Sequence, residues 1–438
     1  MRTGTQARMA AGFAIALGMV AVPAMMAAPV AAPAAARKVC NATRYGAKGD
    51  GTTKDTKAIQ AAIDACAAKG GGTVTLGRGI FLSGPIVLKN NVTLDIAAGA
   101  MLLGSPDHAD YPELRVFRAP GRQSLISADH ARNIAITGGG VIDGNGESWW
   151  KEARETPGAG IVGQIVFRPR LVVFNYCRHV RMSGVTVQNS PSWQIVPYYS
   201  DDIVIRNIRV LAPYPSPNTD AIDPFSSSNI VIDHVYADVG DDNIAIKSGE
   251  INSPGPDAPS KNITITDCTF EHGHGLSIGS EIAGGAQNIH AERVNFIGTD
   301  QGIRIKANRD RGNDVSNISF KDITMNQVKT SILISEYYPK VMPEGPVPAE
   351  PVERLTPHFH NIRIENVTSV NSPWAGVIVG LPESQVTDIV LKDVRIQATK
   401  GLQIGYADVT TDGLMVSTTD SSQPVTFGPE GKVTAAKK

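Results

Sequence analysis

Asp220, Asp241 and Asp242 lie near one another in the chain, and His274, Arg304 and Lys306 follow at longer, similar intervals. Carboxyl groups held close together cannot all ionise freely, so at least one keeps its proton while the others are charged. A protonated carboxyl beside ionised ones is the equipment for general acid–base cleavage of a glycosidic bond. Any one of these aspartates alone would read as solvated surface or part of a calcium site. The chemical reading therefore depends on elements that bring all of them to one place.

A recurring motif supplies such elements. Asn133-Ile134-Ala135-Ile136 returns as Asp202-Ile203-Val204-Ile205, Asn229-Ile230-Val231-Ile232 and Asn262-Ile263-Thr264-Ile265. It continues through Asn317-Ile318-Ser319-Phe320, Asn361-Ile362-Arg363-Ile364 and Asp388-Ile389-Val390-Leu391. Neighbouring copies are mostly about 23–33 residues apart, a solenoid period. A second short strand follows each copy (Val185-Thr186-Val187, Cys268-Thr269-Phe270), then a third (Ile244-Ala245-Ile246, Leu276-Ser277-Ile278). Three short strands per turn, separated by Gly, Asn and Ser corners, describe a parallel β-helix. A β-sandwich also uses many short strands but does not predict this self-similarity. Ahead of the coils, Ile59, Ala62, Ile63 and Cys66 fall at helical spacing before Gly70-Gly71-Gly72, a helix suited to capping the open end. The expected fold is all-β, a right-handed parallel β-helix over 37–438 with a short N-terminal capping helix. The tail from about 420 is expected to be loosely ordered.

Stacking the third strands on their apolar residues gives columns. Ile222, Ile244, Leu276 and Ile303 form one inward column, and Pro224, Ile246, Ile278 and Ile305 the next. Side chains alternate along a strand, so Trp193, Asp220, Asp242, His274 and Gln301 share one outward column. Asp223, Ala245, Ser277 and Arg304 share a second, and Lys247, Gly279 and Lys306 a third. Adjacent strands lie ~4.8 Å apart, so Asp220 and Asp242 should be neighbours, with Asp241 beside them. Two long segments, Tyr111 to Gln164 and Pro339 to Pro357, interrupt the coils, as loops that shape a binding face do.

Residues 1–36 read as a secretory signal peptide. Arg2 and Arg8 precede the short apolar run Met9 to Val22, and Ala34-Ala35-Ala36 offers a small-residue cleavage site,. The mature chain is expected to be secreted or periplasmic, with no membrane association after cleavage, and monomeric. A net charge of -1 with no basic run argues against nucleic acid as a partner. Of the four cysteines, Cys40 and Cys66 flank the helix and could form one staple in an oxidising compartment. Cys177 and Cys268 sit in strand-like runs and read as buried small hydrophobes. No metal-ligand spacing or metal loop is seen, so no metal or other cofactor is expected.

Asn218-Thr219-Asp220, Gly240-Asp241-Asp242, Gly273-His274-Gly275 and Arg304-Ile305-Lys306, in this order, resemble the polygalacturonases of glycoside hydrolase family 28. The likeness runs from Tyr45-Gly46-Ala47-Lys48-Gly49-Asp50-Gly51 to Thr356-Pro357-His358-Phe359. It implies inverting hydrolysis of α-1,4-linked galacturonan in pectin, with Asp241 as general acid and Asp220 and Asp242 activating the water. His274 would tune the acid's protonation. Asn218, Arg304 and Lys306 would bind substrate, with Tyr338 fitting the register of a further site tyrosine better than Tyr337. Lys247 and Trp193, in the same columns, are additional substrate-binding candidates. A rhamnogalacturonan hydrolase, a calcium-dependent pectate lyase and a non-catalytic sugar-binding β-helix are the rival readings. The two long segments favour attack from the chain end.

Overall fold

The computed structural model describes Met1 and residues 38–156, 166–343 and 345–436. The expected signal peptide falls on residues outside the described set. From Val39 onward the chain winds as a right-handed parallel β-helix, each turn contributing to three parallel ladders. One ladder runs through Arg132–Gly138, Arg178–Ser183 and Asp201–Leu211 to the start of Ser228–Asp238. The facing residues of successive coils are apolar and fill a continuous core, with Ile134, Val180, Ile203, Ile230 and Ile263 all buried.

The recurring Asn or Asp has a conformational cause. Asn133, Asp202, Asn229, Asn262, Asn317, Asn361 and Asp388 all have φ between 51 and 57°, the left-handed region that Asn and Asp tolerate better than most residues. Each makes the corner that turns the chain into the next strand. Their side chains also stack, Asn262 Nδ2 donating to Asn229 Oδ1 at 2.9 Å and Asn288 Nδ2 to Asn262 Oδ1 at 3.1 Å.

The helix Thr56–Ala67 buries Ile59, Ala62, Ile63 and Cys66 against the first coils, as its periodicity predicts. Cys40 and Cys66 form a disulfide, while Cys177 and Cys268 are free and buried. The segment beyond Tyr111 contains an antiparallel hairpin, Glu113–Val116 with Ala119–Arg122, and the helix Glu147–Glu155. One expectation is corrected: the tail carries strands Val425–Phe427 and Lys432–Ala435, paired with Val386–Gly405 and Ala407–Asp412. These strands bury little. Backbone pairing with the open edge of the last coil holds them, and an apolar-pattern search misses strands of that kind.

Candidate active site

The ladder carrying the site passes through Val172–Asn175, Ile195–Tyr198, Ile244–Ile246, Leu276–Ile278 and Gln301–Lys306. Between Ile195–Tyr198 and Ile244–Ile246 it thins to single bridges, Ile222 pairing with Ile195 on one side and Ile244 on the other. This register stacks Trp193, Asp220, Asp242 and His274 in one column and Ser277 beside Arg304 in the next, as the sequence alignment of coils predicts.

Local hydrogen bonds lock the acid-bearing corners. Thr219 Oγ1 accepts from the Gly240 N–H at 3.0 Å and pairs with Ser216 Oγ at 2.7 Å, tying the turn before Asp220 to the one before Asp241. Gly273 and Gly275 have φ of 71 and 78°, and a Cβ on either would collide with backbone oxygens of Asp241 or Gln301. Only glycine fits there, so the turn aims His274 back at Asp241, whose carbonyl accepts the His274 N–H at 2.9 Å.

The three carboxylates have different surroundings. Asp241 Oδ1 lies 3.0 Å from His274 Nδ1 and accepts the Asp242 N–H at 2.9 Å; Asn218 Nδ2 reaches Oδ2 at 3.5 Å. Asp242 accepts from Ser277 Oγ at 2.8 Å, Arg304 Nη1 at 3.0 Å and Lys306 Nζ at 3.0 Å. Asp220 Oδ1 has no hydrogen-bond partner among the described residues. Although the column points away from the coil interior, Asp220 is only 3% and Asp242 1% exposed, roofed by neighbouring side chains. The Asp241 side chain keeps 22% exposure.

Protonation follows these surroundings. Burial, reinforced by Asp241 and Asp223, pushes Asp220 well above the ordinary carboxylate range,. Burial also pushes on Asp241, but the hydrogen bond and charge of His274 outweigh it and hold that carboxyl below its usual value. At Asp242 the same burial is overcome by Lys306, Arg304 and His274, and its pKa falls far. His274 is raised, the pull of Asp241 and Asp242 exceeding the burial that would neutralise it. These surroundings favour the protonated form of Asp220 and the charged pair of Asp241 with His274. The resemblance singles out Asp241 as the acid, whereas burial and neighbouring carboxylates favour the protonated form at Asp220.

These groups line a cleft of about 750 Å³ shared by Asn218, Trp193, Lys247 and Tyr338. Lys247 is buried and pairs with Glu281 at 3.2 Å. Its Nζ sits 5.0 Å from the Trp193 ring centroid. Tyr338 lies beside Lys306, 5.2 Å from Nζ to ring centroid, while Tyr337 packs against the cluster of Leu333, Val377 and Val379. Trp149 and Trp150 are interior packing: Trp149 stacks on His108 at 3.4 Å and Trp150 donates to the Ser190 carbonyl. Arg168, Arg170, Glu281 and Asp300 were not singled out by sequence. Arg168 Nη2 donates to Asn218 Oδ1 at 2.6 Å, and Asp300 links His274, at 3.7 Å, to Lys329, at 2.6 Å. Extending the column alignment one coil toward the N-terminus would have found Arg170, which precedes Val172, the partner of Ile195.

A solenoid with three carboxylates and two cations on one cleft floor is the architecture of a carbohydrate-cleaving enzyme. The profile of Glycosyl hydrolases family 28 matches residues 74–411, and the chain belongs to that family and is a glycoside hydrolase. A probable polygalacturonase of Vitis vinifera is 30% identical over 88% of this chain and 80% of its own length. An endo-polygalacturonase of Pectobacterium carotovorum subsp. carotovorum is 30% identical over 82% and 87%. The crystal structure of a hyperthermoactive exopolygalacturonase from Thermotoga maritima superposes with a TM-score of 0.74 at 29% identity, covering 89% of this chain and 91% of that one.

Proposed function

We propose that this enzyme hydrolyses the α-1,4-galacturonosidic bonds of polygalacturonan with inversion, working from the chain end. The observation that carries the reading is the convergence of Asp220, Asp241 and Asp242 with Arg304 and Lys306 on one cleft floor. Asp241 is the donor in this scheme. Its side chain keeps 22% exposure against 2% for Asp242, so it can reach the leaving oxygen, and His274 restores the proton it gives up. Water attacks the anomeric carbon and passes its proton to Asp242, with Asp220 sharing that water. A substrate carboxylate that draws on Arg304 and Lys306 takes them from Asp242, and a carboxylate relieved of two cations becomes a stronger base.

The same contacts disfavour the calcium-dependent lyase. Calcium takes six to eight oxygen ligands, yet the oxygens of Asp242 are occupied by Ser277, Arg304 and Lys306, and two cations beside it repel a third. The rim supports end-acting cleavage. Val116, Phe117 and Pro120 of the hairpin region line the cleft, and so does Pro339 at the start of the second long segment. Asp257 braces both, at 3.3 Å from Arg118 and 3.9 Å from Arg354. The Cys40–Cys66 disulfide supports export to an oxidising compartment. One digest of polygalacturonate tests the reading, following viscosity, reducing ends and product length together. Mono- or digalacturonate should accumulate while viscosity barely falls. A rapid viscosity drop with mid-length oligomers would leave a galacturonan hydrolase but refute end-acting cleavage, and no rise in reducing ends would refute both.

A further inference from the structure

Asp314, His358 and His360 meet outside the cleft, whose lining includes none of them. Asp314–Asn326 and His358–Val379 are adjacent strands whose first residues are partners, with Ser316 opposite His360. Side chains alternate along a strand, so His358 and His360 share a face, and their rings stack with centroids 4.4 Å apart. Asp314 Oδ1 lies 2.7 Å from His360 Nε2 and 3.8 Å from His358 Nδ1. Its other oxygen, Oδ2, accepts from Gln287 Nε2 and Ser316 Oγ, each at 2.8 Å. Those two bonds hold the carboxylate with Oδ1 turned toward both rings. No Lys or Arg pairs with Asp314 among the described residues.

This is the geometry of a three-ligand metal centre. One donor atom from each residue lies within 4.8 Å of the other two. Tetrahedral ligands ~2.0–2.1 Å from a zinc ion stand about 3.3 Å from one another, and the two His-to-Asp distances bracket that edge. Two imidazoles and one carboxylate suit a borderline divalent ion such as Zn2+, whereas Ca2+ and Mg2+ favour all-oxygen shells. Gln287 and Ser316 supply the outer hydrogen bonds that orient a ligating carboxylate. The side chains of Asp314, His358 and His360 are 34%, 53% and 28% exposed, which leaves an entry path and room for water as fourth ligand. Two other Asp/His clusters differ, because cations already occupy them. Asp267, beside His234, gives both oxygens to Arg293 at 2.7 and 2.8 Å, and Asp242, beside His274, is held by Arg304 and Lys306. Asp314 and the two histidines come from neighbouring coils, so no ligand spacing in the sequence marks the set.

We propose that Asp314, His358 and His360 bind one Zn2+ ion, completed by water, as a clamp on the second long segment. His358 directly follows Pro357, where that segment rejoins the coils, and the segment's first residue, Pro339, lines the cleft. An ion here ties the returning chain to the coil before it. The test strips the enzyme with EDTA, moves it to a non-chelating buffer and titrates ZnCl2 by isothermal calorimetry, with His358→Ala and His360→Gln in parallel. Wild type should take up one Zn2+ per chain, and each variant should bind it at least ~10-fold more weakly. At 100 times its Kd, Zn2+ should raise the wild-type melting temperature by about 3 °C. At the same concentration the variants should gain about half of that or less. Without metal, His358→Ala should melt within ~1 °C of wild type, since only an exposed side chain is lost. Absence of binding heat and of a thermal shift in wild type would overturn the site. Equally tight binding in all three proteins would place the ion elsewhere and overturn it too.

Discussion

Replacing Asp242 with asparagine removes one negative charge from between two cations and alters the shape of the site very little. Arg304 and Lys306, whose side chains are 13% and 6% exposed, both point at that carboxylate from 3.0 Å. Without it they face each other as unpaired, nearly buried cations, and breaking such a group by removing one partner costs about 3–5 kcal/mol. Unfolding a chain of ~400 residues carries an entropy near 0.8 kcal/mol/K, so the melting temperature should fall by about 4–6 °C. Activity should fall as well, by at least the ~10²–10⁴-fold attached to a positioned acid or base. Asp241→Asn provides the contrast. Its partner His274 is 30% exposed and Asp241 itself 22%, so the lost pair is worth at most about 1 kcal/mol and the melting temperature should move by ~1 °C. The activity loss should nevertheless be comparable. Differential scanning calorimetry and reducing-end kinetics on both variants give the two readouts. If Asp242→Asn melts with wild type while Asp241→Asn is the destabilised one, the cation clamp does not depend on Asp242 and the assignment of buried charge is wrong.

Three further outcomes are expected. In EDTA the rate on polygalacturonate should be unchanged and products should lack the ultraviolet absorbance of an unsaturated uronate; loss of activity, or that absorbance, would move the enzyme to the lyase class. His274 is raised above its ordinary value, so the proton it shares with Asp241 is present below that pKa and lost as pH rises through it. The alkaline limb of kcat/KM should therefore shift to lower pH in His274→Asn, where the proton must rest on the Asp241 carboxyl alone, and an unmoved limb would remove His274 from the proton path. Methyl-esterified pectin should be a poorer substrate than the free acid, because a neutral ester cannot draw Arg304 and Lys306 from Asp242; equal rates would refute a carboxylate clamp.

How far this site could be read in sequence depended on which physical constraint set each residue. The coil repeat was visible because a left-handed corner admits few residue types, so Asn133, Asn229, Asn262 and Asn361 recur where the chain must turn. The columns followed from strand alternation alone, which is why Asp220, Asp242 and His274 fell into register. Alternation gives direction but not what covers a side chain, and nothing in the period revealed that Asp242 would be sealed under Arg304, Lys306 and Ser277. Nor did it reveal that Lys247 would be neutralised by Glu281, since that pair joins the cleft strand to a loop. The Asp241–His274 pairing depends on two positive-φ glycines, visible as a Gly-His-Gly motif but not as a direction. Arg170 stayed hidden for a different reason. It follows the longest non-repeating insertion, where the coil alignment loses its frame, and its partners Phe117 and Trp193 come from separate segments. Sequence periodicity thus locates the groups that a regular scaffold must present, while the proton and charge state of each is decided by irregular neighbours. The same division explains why the resemblance points to Asp241 as the donor while the surroundings favour the protonated form of Asp220: the motif fixes place, and only the surroundings, which a substrate would alter, fix which carboxyl is acid.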